Sequence, residues 1–348
     1  MGPAEQIQEE LLKISALLAD RAFAVSMAGS LNAAYEQAFR QTEAGTTKNT
    51  GETRNSGSSK AATESPAPDN DRQISIQEQK IAINLAGFYA VECGIGLLIA
   101  LKGGKPESWL EKIVTKTTEP DELLVLTRFA NATWKAGQPF ISLDRIKNAH
   151  FISANFLSEQ EAQKDTAQVM SAALKLRDSL REVWNGSVRV QLEKLQQLLR
   201  DRQYALEMAQ YLDASYYIAQ KKQPPPFLAE GEEKSILPMN AAEEQTAVSI
   251  AGFYALECGL SYFAASEDKL PSEMLSSIVH NSLPKKEQLF FERLANATWK
   301  AGQPFRGLDR ITRPSFIPAA FLSEEEIEKD RVQIRAAAQK LLETLIVV

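Results

Sequence analysis

Leucine, isoleucine and methionine recur along this chain at intervals of three and four, the spacing that lines one face of a helix. Leu192, Leu195, Leu199, Met208 and Leu212 form one such stripe, and Leu11, Ile14, Leu18, Met27 and Leu31 form another. Each stripe predicts one long amphipathic helix. Two other stretches are apolar nearly all round: IAINLAGFYAVECGIGLLIALK, from Ile81 to Lys102, and TAVSIAGFYALECGLSYFAASED in the second half. The first is long enough to be considered as a membrane span. Asn84 and Glu92 within it, and Ser249, Glu257 and Ser261 within the other, would each be costly in hydrocarbon. The pattern therefore predicts buried core helices and no membrane partner. Ser158 with Glu161, and Ser323 with Glu326, have the spacing of reciprocal helix caps. Pro314 and Pro318 mark a bend ahead of the second cap. No run of alternating β-branched residues suggests a strand, so the predicted class is all-α.

The stripes are two copies of one pattern. Three blocks recur in the same order, and self-similarity of this kind is the mark of a repeat architecture. LLADRAFAVSMAGSLNAAYEQAF answers LLRDRQYALEMAQYLDASYYIAQ, AGFYAVECG answers AGFYALECG, and RFANATWKAGQPFISLDRI answers RLANATWKAGQPFRGLDRI. Asp20 falls on Asp201, an offset of 181, whereas Trp134 falls on Trp299, an offset of 165. The first copy therefore carries an insertion between its first and second blocks. Residues 41–73 are rich in Ser, Thr, Gly and Asn and nearly lack large apolar side chains, which predicts a disordered loop. The second copy has Pro224-Pro225-Pro226 at the same place, a stiffer, extended connector. The expectation is two helical domains, 1–182 and 187–348, of four or five helices each, related by a pseudo-twofold.

Composition narrows the function classes. The formal net charge is −6, which argues against a general nucleic-acid binder. Two cysteines, Cys93 and Cys258, exclude a disulfide framework and suit a reducing compartment. MGPAEQIQEELLK has neither the basic flank nor the apolar core of a signal peptide. The expected location is the cytoplasm. The two histidines, His150 and His280, do not correspond between copies, and there is no phosphate loop, nucleophile elbow or metal-spaced cluster. No cofactor and no catalytic role are expected.

The string NATWKAGQPF occurs letter for letter at Asn131 and at Asn296, while the first helices have drifted apart. Packing preserves size and polarity but tolerates exchange of one apolar residue for another. Retention of polar letters points to a ligand site. On that reading Trp134 and Trp299 offer faces for stacking, Lys135 and Lys300 supply ammonium donors, and Gln138 and Gln303 provide donor and acceptor together. Arg145 and Arg310, in the shared Leu-Asp-Arg-Ile, could clamp a phosphate or carboxylate. Arg306 and Arg313 stand where the first copy has Ile141 and Asn148, so an anion site should be stronger in the second half. Glu257 and Glu92 place a carboxylate inside an apolar helix, with Tyr254 and Tyr89 one turn earlier. Such a Glu must be paired or protonated; Lys135 or Arg145 of the same copy could pair it, or it could receive a ligand's amine or hydroxyl. The alternative is structural throughout: Trp and Phe in the core, Gly-Gln-Pro ending a helix, Lys and Arg paired with Asp144 or Asp309. The two functional expectations are a small anionic ligand such as a nucleotide, and a scaffold for a protein partner or a further copy of the chain.

The C-terminal block of each copy resembles the RyR domain, the tandem repeat of ryanodine receptors. The residues that carry the resemblance are Leu294-Ala295, Trp299, Phe316-Ile317-Pro318, Phe321-Leu322-Ser323-Glu324-Glu325-Glu326 and Lys329-Asp330-Arg331. Their counterparts are Ala130, Trp134, Phe151-Ile152, Phe156-Leu157-Ser158-Glu159 and Lys164-Asp165. The sequence departs from the family at Thr133 and Thr298, where the family has His, and it lacks the family's Gly-Trp-x-Tyr-Gly hairpin. The resemblance implies a tandem binding module, with nucleotide-like ligands, and no catalysis.

Overall fold

In the computed structural model Asp20 and Asp201 each divide what the apolar stripes predict as one helix. Asp20 Oδ1 accepts from the backbone N–H groups of Ala22 and Phe23 at 2.8 and 3.2 Å. Asp201 Oδ1 does the same for Gln203 and Tyr204 at 2.8 and 3.1 Å. An aspartate that satisfies the free donors of a helix start begins a new helix there. The stripes become α1 (Pro3–Leu18) with α2 (Arg21–Thr46), and α7 (Val188–Arg200) with α8 (Arg202–Ala219). The other helices are α3 (Ile76–Lys102), α4 (Pro106–Val114), α5 (Pro120–Ile141), α6 (Glu159–Ser179), α9 (Ala241–Ser266), α10 (Pro271–Val279), α11 (Lys285–Gly302) and α12 (Glu324–Val347). The described residues are 2–46, 74–224, 226–227 and 239–347, and they contain no strand. Of the loop expected at 41–73, residues 41–46 continue α2 and the rest lie outside the described residues. Pro225, in the middle of the proline connector, also lies outside them.

Both expected reciprocal caps form. The Ser158 and Ser323 hydroxyls accept from the Glu161 and Glu326 N–H groups at 3.3 Å, and each Glu returns a bond to the Ser backbone N–H. The two apolar stretches are α3 and α9, and both are buried along most of their length by other helices. Phe88, Phe129, Phe253 and Phe290 are among their fully covered side chains and neighbours. Each such ring contributes roughly 1.5–3 kcal/mol by leaving water.

Packing does not follow the order of the copies. Helices α5 and α11 touch each other, and each touches both α3 and α9, so the centre is built from both halves. Around it, α2 packs on α9 and α12, and α1 reaches α10, all in the second copy. Conversely, α8 packs on α3 and α6, and α7 on α4, all in the first. Each leading helix pair thus covers the other copy.

The shared string is not folded identically in its two settings. In the first copy α5 runs through Pro139 to Ile141; in the second, α11 stops at Gly302 and a 3-10 turn takes over at Gln303–Arg306. The helix-ending turn expected from Gly-Gln-Pro therefore forms only in the second copy. The difference lies just beyond the identical letters. Gly307, with φ 130°, occupies a conformation that its counterpart Ser142, with φ −171°, does not.

Candidate functional site

The site begins with Lys135 and Lys300. Each lies one turn past an Asn on the inner face of α5 or α11, and neither exposes any side-chain surface. A buried ammonium needs an acceptor, and the acceptor is the glutamate of the other copy. Lys135 Nζ lies 2.6 Å from Glu257 Oε2, and Lys300 Nζ lies 2.5 Å from Glu92 Oε2. The pairing within one copy allowed by the sequence does not form; the two pairs are exchanged. The second oxygen of each carboxylate is also used. Ala154 N–H donates to Glu257 Oε1 at 3.0 Å, and Ala319 N–H donates to Glu92 Oε1 at 2.9 Å. Lys135 additionally donates to the Ile152 carbonyl at 2.8 Å. Burial opposes the Lys300 ammonium, yet Cys93 and Glu92 beside it hold its pKa above the ordinary lysine value.

The exchange extends to neighbours. Cys258 and Cys93 lie next to the glutamates and donate to Asn131 and Asn296 Oδ1 of the opposite copy. Burial, with the adjacent glutamates adding to it, pushes both thiols well above their usual pKa. They are protonated, covered groups and poor nucleophiles. Phe140 and Phe305 stack on each other, with ring centroids 5.4 Å apart and planes 11° apart. A Cβ on Gly137 would sit 2.9 Å from the Phe305 ring, and one on Gly302 would sit 2.9 Å from the Phe140 ring. The glycines of the string are thus needed where the other copy's ring presses on the helix.

The remaining candidates separate into two groups. Trp134 and Trp299 are partly buried and pack on Phe151 and Phe316, centroids 5.5 Å apart in both. Tyr254 is wholly buried, and burial raises its hydroxyl far above the usual range. Lys135, Lys300, Tyr254 and Glu257 are wholly covered by protein, and Trp134 and Trp299 keep partial exposure. Gln138 and Gln303 bridge outward. Each donates to the tryptophan carbonyl one turn back and accepts from an arginine: Arg145 on Gln138 at 2.8 Å, Arg310 on Gln303 at 3.4 Å.

Those arginines differ. Arg145 is exposed, whereas Arg310 is 7% exposed and sits under α7 and α8. Arg306 donates to Glu244 at 2.6 Å, and Arg200 donates to the Thr312 carbonyl at 3.1 Å. Among the described residues no carboxylate lies within ion-pair distance of Arg310 or Arg313. Burial, then Arg306 and Arg313, pull the Arg310 pKa down to about 10, against the smaller effects of Glu244 and Asp309. The sequence anticipates Arg145, Arg306, Arg310 and Arg313 by type and position, but not Arg200, nor that α7 and α8 would cover Arg310.

A cavity of about 30 Å³ lies elsewhere, between α10, α11 and α12, against Ile278, Phe291, Ile334 and Arg335. It has room for about two waters, not for a nucleotide. No protein family, curated protein or solved structure matches the chain.

Proposed function

We propose that the chain is a non-catalytic binding protein for a small anion, with nucleotides and other phosphate compounds the class to test first. The second copy's Leu-Asp-Arg segment holds the ligand, through Arg310 with Arg306 and Arg313. The observation that carries this reading is the state of Arg310: a side chain largely covered by protein, hydrogen-bonded only weakly to a neutral glutamine, and flanked by two like charges. A cation in that position destabilises the fold until a negative group joins it. Arginine clusters recognise phosphate and carboxylate through planar, bidentate bonds. The first copy has Ile141, Asn148 and an exposed Arg145 instead.

The test is a thermal-shift and calorimetric panel of inorganic phosphate and mono-, di- and cyclic nucleotides. A ligand at about 100 times its Kd adds about 2.7 kcal/mol, a shift of several degrees. The expected result is a selective rise in Tm that Arg310→Ala abolishes, with the free variant as stable as the parent or more so. A large fall in the Tm of Arg310→Ala, with no ligand response in the parent, would remove the anion reading.

The exchanged Lys–Glu pairs favour a second role, a scaffold for a protein partner. In that case the repeated string acts by holding the halves in one fixed arrangement. A flat ligand panel together with capture of a specific partner would favour it.

A further inference from the structure

The two copies differ at one buried arginine, and the difference leaves polar groups without partners. In the first copy Arg128 Nη2 donates to Asn155 Oδ1 at 2.6 Å, and the same oxygen accepts from Ser261 Oγ of the other copy at 3.0 Å. Nearby, Asn131 donates to Asp165 at 3.4 Å. The equivalent arginine in the second copy is Arg293, 165 positions on, and the equivalent aspartate is Asp330. Asn155 is replaced by Ala320, and Ser261 by Gly96. A carboxamide and a hydroxymethyl group are therefore both missing from the place where the first guanidinium finds its acceptor.

The consequences are visible in the second copy. Arg293 is 7% exposed and Asp330 is 8% exposed. Arg293 Nη1 and Asp330 Oδ2 are buried with no hydrogen-bond partner, unlike their counterparts in the first copy; the Nε atoms of Arg293 and Arg128 are unpaired in both copies. Among the described residues Arg293 makes no ion pair, although the rest of its helix does: Glu292 pairs with Arg331 and Lys300 with Glu92. Buried donors without acceptors are rare, and each calls for a missing group. Ala320 is exposed, so the position that Asn155 holds in the first copy borders solvent in the second.

We infer that the second copy binds a small carboxylate beside Arg293, with one ligand oxygen in the place that the Asn155 carboxamide oxygen fills in the first copy. A carboxylate supplies both the acceptor and the negative charge that the guanidinium lacks. The Asp330 carboxyl, whose Oδ2 is also without a partner, is driven well above its usual pKa by burial, with Arg293 the largest opposing influence, which leaves the negative charge at this place to the ligand. The site is separate from Arg310: it lies between the middle of α11, α12 and the turn at Ala319–Phe321, whereas Arg310 lies in the turn Leu308–Thr312 beyond the end of α11.

The test uses acetate as the probe, with acetamide as its neutral counterpart and chloride as the salt control. Acetate is expected to raise the Tm of the intact protein saturably, by a few degrees, with acetamide weaker and chloride inert. Ala320→Asn restores the first copy's acceptor at an exposed position. It should raise the Tm without acetate and remove most of the acetate response, and Arg293→Gln should remove that response too. Arg310→Ala should leave it intact, so failure of this site is distinguishable from failure of the arginine cluster. If Ala320→Asn raises the Tm but the parent does not respond to acetate, the groups are bridged by water and the carboxylate site is refuted. An equal acetate response in parent and Ala320→Asn would refute it as well.

Discussion

A lysine in a repeated string has two uses, and its environment decides between them. Lys135 and Lys300 expose no side-chain surface; each pairs with a glutamate of the other copy. The need for a partner was legible in the sequence, because Glu92 and Glu257 sit in helices that are apolar nearly all round. The choice of partner was not. With identical letters in both copies, pairing within a copy and pairing between copies satisfy the same local chemistry, and only the packing of α5 on α9 and of α11 on α3 settles it. Buried pairs are costly to break and not especially stabilising to make. Glu257→Gln should therefore destabilise the protein by about 3–5 kcal/mol, because it leaves the Lys135 ammonium uncompensated. Lys135→Met combined with Glu257→Leu should cost much less than Glu257→Gln alone. Urea unfolding of the single and double variants measures both. A loss below about 1 kcal/mol for Glu257→Gln, the range of exposed pairs, would mean that the ammonium reaches water.

At the scale of elements, the periodicity of apolar residues located the helices but not all their ends. The stripes from Leu11 to Leu31 and from Leu192 to Leu212 keep helical spacing across Asp20 and Asp201, and the break is set by side-chain capping that spacing cannot register. The capping boxes at Ser158 and Ser323 were legible because their chemistry is local. The end of the shared string was ambiguous for a related reason. Ten identical residues continue as helix in α5 and stop in α11, and the deciding residue is Gly307, outside the string. Its φ of 130° is open to glycine and strained for other residues. Gly307→Ser, which installs the first copy's residue, should cost roughly 1–3 kcal/mol. The reverse change, Ser142→Gly, should cost about 1 kcal/mol or less, since it loses a hydrogen bond to Asp144 N–H at 3.2 Å and some backbone stiffness. Equal costs in thermal unfolding would show that the glycine conformation does not set the end of α11.

For the molecule as a whole, the sequence copies divide at 182–187, but the packing does not. Helices α3 to α8 pack as a neighbourhood, and α9 to α12 complete theirs with α1 and α2 from the far end of the chain. Letter-by-letter repetition reports ancestry of segments and is silent on which copy a segment covers, so this arrangement could not be read before the fold. It has a physical consequence. The side chains of Ile14, Leu18, Met27 and Leu31 are essentially fully buried, and α2 packs against α9 and α12. Their hold on the protein does not depend on the chain between α2 and α3. A specific protease site placed within 47–73 should therefore be cut without releasing the N-terminal piece. At tens of micromolar the nicked protein should elute as one particle and unfold in one transition. Because cutting turns an intramolecular contact into an association, the Tm of the nicked form should fall on dilution while that of the intact chain stays constant. Separation of the piece on size-exclusion at those concentrations, with the remainder still folded, would mean that α1 and α2 contribute little to the second half. A nicked Tm independent of dilution would mean that the piece no longer contributes to the fold of the remainder.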